Sequence, residues 1–270
     1  MNVKNKTIVV TGGGNGIGRE LVLNLLKNGA QVAAIDMNEA GLLETQKLAG
    51  ANKVYLSTHL LNITNKTAVE LLPEHVIAKH GSVDGIINNA GIIQPFTKVN
   101  DLDFSVIERV FNVNFNGTLY LTKAFLPYLL KRPEAHIVNV SSMGGFLPVP
   151  GQSIYGAAKA GIKLLTEALS SELGNTHVHV SVVFPGAIGT NIKVNSGAEE
   201  APKDEDKNKK SLIKPLAPAK AAQIIIDGIQ KNKSRIFVGT DVKVMDLLYR
   251  IHPRFATKLI AKQMKSHIPE

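Results

Sequence analysis

The chain has 270 residues, 44% of them hydrophobic, and a formal net charge of +9 from 31 Lys and Arg against 22 Asp and Glu. That length and apolar content suit one large α/β domain, residues 1–270, with a single sizeable core. The absence of cysteine excludes disulfide frameworks, thiolate zinc sites and cysteine nucleophiles. The positive balance fits nucleic acid, an anionic membrane or an anionic cofactor. The cations are spread along the chain, however, and no basic segment is interleaved with stacking aromatics, so no nucleic-acid partner is expected. The eight histidines form neither a His-Glu-x-x-His motif nor a carboxylate cluster, and no metal is expected. The first apolar stretch, 8–10, is too short for a signal-peptide core or a membrane span, which points to a cytoplasmic protein.

Seven short runs rich in Val and Ile follow in order: 7–10, 31–35, 54–58, 83–87, 136–140, 178–184 and 235–238. Their unbroken apolar character suits strands covered on both faces. Helical periodicity lies between them, for example at 17–28 closed by Gly29, at 153–173 closed by Gly174, and at 218–230, with glycine at the usual position past a helix end. This alternation predicts βαβ units joined by right-handed crossovers. The expected fold is α/β, a Rossmann-like, doubly wound, seven-stranded parallel sheet flanked by helices on both faces.

The first strand runs into Thr11-Gly12-Gly13-Gly14-Asn15-Gly16-Ile17-Gly18, with a helix beyond. A strand-to-helix turn without Cβ atoms lets backbone approach a pyrophosphate, whose charge the N–H groups and dipole of the next helix favour. Ile17 stands where the third glycine of an ordinary Gly-x-Gly-x-x-Gly would fall. The turn instead resembles the Thr-Gly-x-x-x-Gly-x-Gly of short-chain dehydrogenases/reductases, and it argues against the epimerase-like extended members, whose glycines are spaced differently. Asp36 ends the second strand, where a carboxylate can accept from the adenosine ribose hydroxyls and repel a 2′-phosphate. Asn15 and Met37-Asn38 occupy the places where enzymes that prefer NADP carry a basic residue, so NAD(H) is expected over NADP(H). Asn62-Ile63 stands where the family has Asp-Val near the adenine, and asparagine keeps an acceptor there.

Tyr155 and Lys159 lie at i and i+4, on one face of a helix. A cation beside a phenol favours phenolate, which makes the phenol usable as an acid/base near neutrality. Of the five tyrosines only Tyr155 has this spacing. Upstream, Ser142 closes the fifth strand, where open α/β sheets place ligands, and its hydroxyl can stabilise charge on a substrate oxygen. Asn88-Asn89-Ala90-Gly91, Asn114 in its Asn-x-x-Gly setting, and Pro185-Gly186-Ala187-Ile188-Gly189-Thr190 complete the resemblance, in the family's order, over about 6–239. By that resemblance Asn89, Ala90 and Gly91 flank the cofactor, and Asn114 holds a water for proton relay to Lys159. Ile188 and Thr190, after Pro185 and Gly186, meet the nicotinamide carboxamide, and Gly12, Gly14, Asn15, Gly16, Ile17 and Gly18 hold the phosphates. Lys159 also holds ribose hydroxyls.

The implied reaction is hydride transfer between a nicotinamide and a small alcohol or carbonyl substrate, Tyr155 acting as acid/base. Ile92, Ile93, Phe96, Met143, Phe146 and Leu147 follow the active-site strands, and if they line the pocket they favour an apolar substrate. A charged, Pro- and Gly-containing stretch at 191–218 reads as a substrate loop. A basic amphipathic tail at 241–265, interrupted by Pro253, fits an element packed over the pocket or a partner subunit, or a membrane-surface contact. Family members are commonly homodimers or homotetramers. Two rival readings stand beside the enzyme: a nicotinamide-binding regulator without chemistry, and a membrane or nucleic-acid surface binder that uses the basic balance.

Overall fold

The computed structural model describes residues 1–198 and 215–264. Its centre is a seven-stranded, wholly parallel sheet in the order β3-β2-β1-β4-β5-β6-β7. The strands are β1 (Thr7–Thr11), β2 (Gln31–Asp36), β3 (Leu56–Leu60), β4 (Gly85–Asn88), β5 (Ala135–Val140), β6 (Val178–Pro185) and β7 (Arg235–Val238). The helices are α1 (Gly16–Lys27), α2 (Glu39–Leu48), α3 (Lys66–His80), α4 (Phe104–Phe111), α5 (Thr118–Leu129), α6 (Ser153–Glu172), α7 (Ile192–Asn195), α8 (Pro218–Gln230), α9 (Thr240–Ile251) and α10 (Pro253–Met264).

Successive strand residues serve opposite faces, as the pleat requires. Ile8 and Val10 join one core with Leu21 and Leu25 of α1 and Ile225 and Ile229 of α8. Val9 joins the other with Val69 and Leu72 of α3 and Leu121 and Phe125 of α5. The sheet is thus covered on both sides, and the direction of winding reverses at β1, which pairs with β2 on one edge and β4 on the other. A crevice at the carboxyl ends of β1 and β4 follows from that reversal.

Some expected boundaries move. The third strand begins at Leu56 rather than at 54, because residues Gly50–Tyr55 coil into a 3₁₀ helix and the ladder to β2 starts only at Val32 opposite Leu56. The fourth starts at Gly85 and runs to Asn88. Gly29 closes α1 in the left-handed region at φ +78°, as expected, whereas Gly174 after α6 is not left-handed, and its N–H instead bonds Ser171 C=O at 3.3 Å. The tail is two helices, since Pro253, whose fixed φ suits a first helical position, begins α10 rather than merely breaking α9. Ala256 and Ile260 bury themselves against Leu147, with Met143, Phe146 and Val149 alongside. Lys265 and most of the expected substrate loop, 199–214, lie outside the described residues.

Candidate active site

A cavity of about 410 Å³ opens at the carboxyl ends of the central strands, within the range typical of small-molecule and cofactor sites. Gly12, Asn15, Gly16, Ile17, Asp36, Asn62, Ile63, Asn89, Ala90 and Gly91 line one part of it. Ser142, Tyr155, Lys159, Pro185, Gly186, Ile188 and Thr190 line the rest. The structure therefore gathers nearly every residue singled out by sequence around one space.

Three of those residues stand behind it. Gly18 packs so tightly under the turn that a Cβ there would lie 1.9 Å from Gly12 O. Gly14 donates its N–H to Asp36 Oδ2 at 2.9 Å and braces that carboxylate. Asn114 is buried in a π-helical turn, Asn112–Gly117, and its side chain is spent on backbone. Its Nδ2 donates to Ile92 C=O at 2.8 Å and Val110 C=O at 3.0 Å, and its Oδ1 accepts from Ile92 N–H at 3.2 Å. The asparagine thus clamps the loop after β4, and both it and Lys159 border Gly91, where a Cβ would meet Asn114 Oδ1 at 2.7 Å and Lys159 Nζ at 3.1 Å.

The glycine turn fits an anionic group by its shape. Gly12 and Gly16 sit at φ +70° and +52°, a region that side chains rarely adopt. A Cβ on Gly12 would collide with Asn89 Nδ2 at 2.9 Å. Asn15 caps α1 by accepting from Gly16 N–H at 2.7 Å, and the first i→i−4 bond comes only at Arg19 N–H to Asn15 C=O. The N–H groups of Ile17 and Gly18 therefore precede the helical ladder, as first-turn donors do. Thr11 holds the opposite wall, its Oγ1 accepting from Asn89 and Ala90 N–H at 3.0 and 2.9 Å. Asp36 Oδ1 accepts from Asn38 N–H at 3.0 Å. Asn62 Oδ1 accepts from Thr64 N–H and Oγ1, so the oxygen expected near an adenine also serves a local turn.

Tyr155 and Ser142 line the same cavity. Burial pushes the phenol above its ordinary value, and the hydroxyl of Ser142 draws it partly back. The chain's own groups thus leave Tyr155 a weaker acid than the expected pairing with Lys159 implies. Gly144 N–H donates to Ser142 Oγ at 3.1 Å, which leaves the serine O–H as a donor. Lys159 is buried, donates to Val140 C=O at 2.9 Å, and is drawn down to about 8 by burial. Ser141 fixes the same helical turn by donating to Lys159 C=O at 2.7 Å. Asn88 ties the sheet beneath, its Nδ2 donating to Asn139 Oδ1 and Thr122 Oγ1.

Of the apolar residues expected in the pocket, Ile92 and Ile93 line it. Met143, Phe146 and Leu147 pack instead against the helices of the tail, and Phe96 lies under Lys193 at 5.3 Å. Asn191, Ile192 and Asn195, at the start of the stretch read as a substrate loop, line the cavity, and so does Val113, which was not singled out. Thr11, the first residue of the glycine motif, also shapes the site, as do Gln94 and Ser141, which no spacing motif marks.

This arrangement has relatives. The family model described as short chain dehydrogenase matches residues 6–201. SadH of Mycobacterium tuberculosis, whose oxidoreductase designation is provisional, is 36% identical over 271 residues, covering 98% of each chain. Among solved structures, a short chain dehydrogenase/reductase from Burkholderia phymatum in complex with NAD aligns with a TM-score of 0.83 at 23% identity, over 94% of this chain and 96% of that one. A short chain dehydrogenase from Burkholderia cenocepacia in complex with NADP gives 0.78 at 22%, over 96% and 99%. At those identities the two structures bear on the fold alone.

Proposed function

The chain belongs to the short chain dehydrogenase family and is an oxidoreductase of that kind, and on that premise we propose that it interconverts an alcohol and a ketone or aldehyde with NAD(H), using Tyr155 as general acid/base. The observation that carries the reading is the meeting of Tyr155, Ser142 and Lys159 on the wall of the same cavity as the glycine turn and Asp36. The nicotinamide ring, when bound, supplies or takes up the hydride. Tyr155 Oη gives its proton to a carbonyl oxygen in one direction and takes a hydroxyl proton in the other. Ser142 Oγ, oriented by Gly144 N–H, donates to the same oxygen and steadies the charge that develops on it. Lys159 keeps two N–H donors beyond the one given to Val140 C=O. Those donors hold ribose hydroxyls, and the cation offsets the burial that holds the phenol back. Asn114 keeps the wall beside Lys159 in place through Ile92.

Preference for NAD(H) rests on charge. Asp36 lines the cavity, and Lys159 is the one cation among the described lining residues. Arg19, the basic residue nearest the turn, gives its guanidinium to Thr45 Oγ1 and Gly14 C=O. An apolar substrate is favoured by Ile92, Ile93, Val113, Ile188 and Ile192. Self-association is favoured by the exposed Phe104 of α4 and Leu164 of α6. A weak contact with anionic membrane surfaces is favoured by α9 and α10. There Val244, Leu247, Ile251 and Phe255 are exposed beside exposed Lys243, Arg250, Arg254 and Lys258, while Asp246 is taken by Arg235 and Arg250.

The test is a screen of the purified chain against aliphatic, steroid and hydroxyacyl alcohols and ketones, followed by the absorbance of reduced nicotinamide. Turnover of an apolar carbonyl or alcohol, faster with NAD(H) than with NADP(H), is expected. Binding of either cofactor with no turnover of any compound would contradict the reading and favour a nicotinamide-binding regulator.

A further inference from the structure

Helix α6 carries both Tyr155 and Lys159, yet its own first residues do not cap it. Gln152, at the N-cap position, makes no side-chain bond to the first turn. An uncapped helix leaves N–H donors orphaned, and here they are close to the reacting phenol, since Tyr155 is the third residue of α6. The missing acceptor comes from elsewhere in the chain. Gln94, fully buried in the loop after β4, accepts from Ile154 N–H at 2.9 Å and Tyr155 N–H at 3.0 Å through one oxygen, Oε1.

The carboxamide that does this is itself held at every point. Gln94 Nε2 donates to Gly151 C=O at 3.0 Å, and Gln152 Nε2 donates back to Gln94 C=O at 2.8 Å. Gln152 Oε1 is buried without a partner, so the bond from Gln152 to Gln94 C=O is kept at the cost of an unmade bond. The neighbouring residues of the same loop are anchored as firmly. Ile92 is clamped by Asn114, and Ile93 N–H donates to Ser196 Oγ at 3.0 Å, just past α7. Three consecutive residues thus tie the cofactor wall, the substrate-side helix α7 and the first turn of α6 into one unit.

We propose that Gln94 is a positioning residue that supplies, from a distant loop, the N-terminal cap of α6 and thereby fixes the orientation of Tyr155. It rests on the proposed role of Tyr155 and adds a residue that acts only through it. The physical expectation is specific to the first turn. Without the acceptor, Ile154 and Tyr155 lose their backbone anchor and the phenol wanders from Ser142, whereas Lys159 stays pinned by Val140 and Ser141. A misplacement of about 1 Å at a reacting group can cost on the order of a hundredfold in rate.

Two variants of the full-length chain test this. Gln94→Met keeps the size of the side chain and removes both polar atoms, while Gln94→Glu keeps an oxygen facing the two N–H groups. In Gln94→Met, amide exchange at Ile154 and Tyr155 is expected to speed up at least about tenfold with no change near Ile162. Turnover of the ketone found in the screen should fall about ten- to a hundredfold while the Kd for NADH stays within about threefold. Gln94→Glu should retain both within about fivefold. Adding Gln94→Met to Tyr155→Phe should cost no further rate, as expected of a residue acting through the phenol. Unchanged exchange in Gln94→Met overturns the capping role. Faster exchange with undiminished turnover, or an equal loss in Gln94→Glu, overturns the positioning role. Should Tyr155→Phe alone keep full turnover, the proposed function fails, while the exchange measurement still decides whether Gln94 caps the helix.

Discussion

Asp36 divides its carboxylate between two backbone donors, Gly14 N–H and Asn38 N–H, and still lines the cavity. A second negative charge brought to that edge meets repulsion worth about 1 kcal/mol or more at 4 Å, about fivefold or more in affinity. Asp36→Asn keeps one acceptor and removes the charge, so the ratio of kcat/KM with NADP to that with NAD should rise about fivefold or more in steady-state assays. An unchanged ratio would remove Asp36 from cofactor choice. Lys159 yields a pH prediction with two signs. Burial draws it to about 8 from 10.5, so between those values the unfolded chain holds the proton more fully, and its contribution to stability rises with pH through that window. The help proposed for Tyr155 runs the other way, because the cation disappears above about 8. Carbonyl reduction should therefore decline above that pH, and Lys159→Arg, which cannot lose its charge there, should abolish the decline in a kcat/KM profile. The places of Asp36, Tyr155 and Lys159 on the cavity wall were legible in the sequence because each follows from short spacings next to a strand end or along one helix. Gln94 was not, since its partners lie about sixty residues away. For Asn114 the motif was readable, but not the fact that backbone groups would consume its amide.

At the scale of elements, the strands and the glycine turn could be read because period and glycine placement are local properties. Boundaries slipped where a neighbouring element decided them, as when the 3₁₀ turn at Gly50–Tyr55 delayed β3. The tail shows the same limit. Its apolar spacing announced a helix, but only packing reveals which face is covered, with Ile260 buried on Leu147 and Leu247 left outside. Covering Leu147 is a measurable part of stability. Ile260→Ala should lower the free energy of unfolding by about 2–4 kcal/mol in a denaturant titration. A loss within about 0.5 kcal/mol, the range of surface substitutions, would mean that α10 does not hold that face.

Across the whole molecule, the seven-stranded sheet turns at β1 and so opens a crevice, and the residues proposed for the chemistry come to it from both halves of the chain. The net charge of +9 bears on two proposed contacts: an anionic cofactor within the crevice, where Lys159 is the one cation among the described lining residues, and a membrane surface at the cation-fringed apolar stripe of α9 and α10. For the second, the chain should co-sediment with phosphatidylglycerol vesicles, and Leu247→Glu together with Ile251→Glu should abolish this, whereas equal sedimentation would remove the membrane contact. Among the described residues no helix is long and apolar enough to cross a membrane. The chemistry proposed for the crevice turns on one residue. Tyr155→Phe removes a single oxygen from its wall, and kcat is expected to fall at least about a thousandfold while NADH, titrated by fluorescence, binds within about threefold of the unaltered chain. A Phe variant that turns over within about tenfold of the original would contradict it.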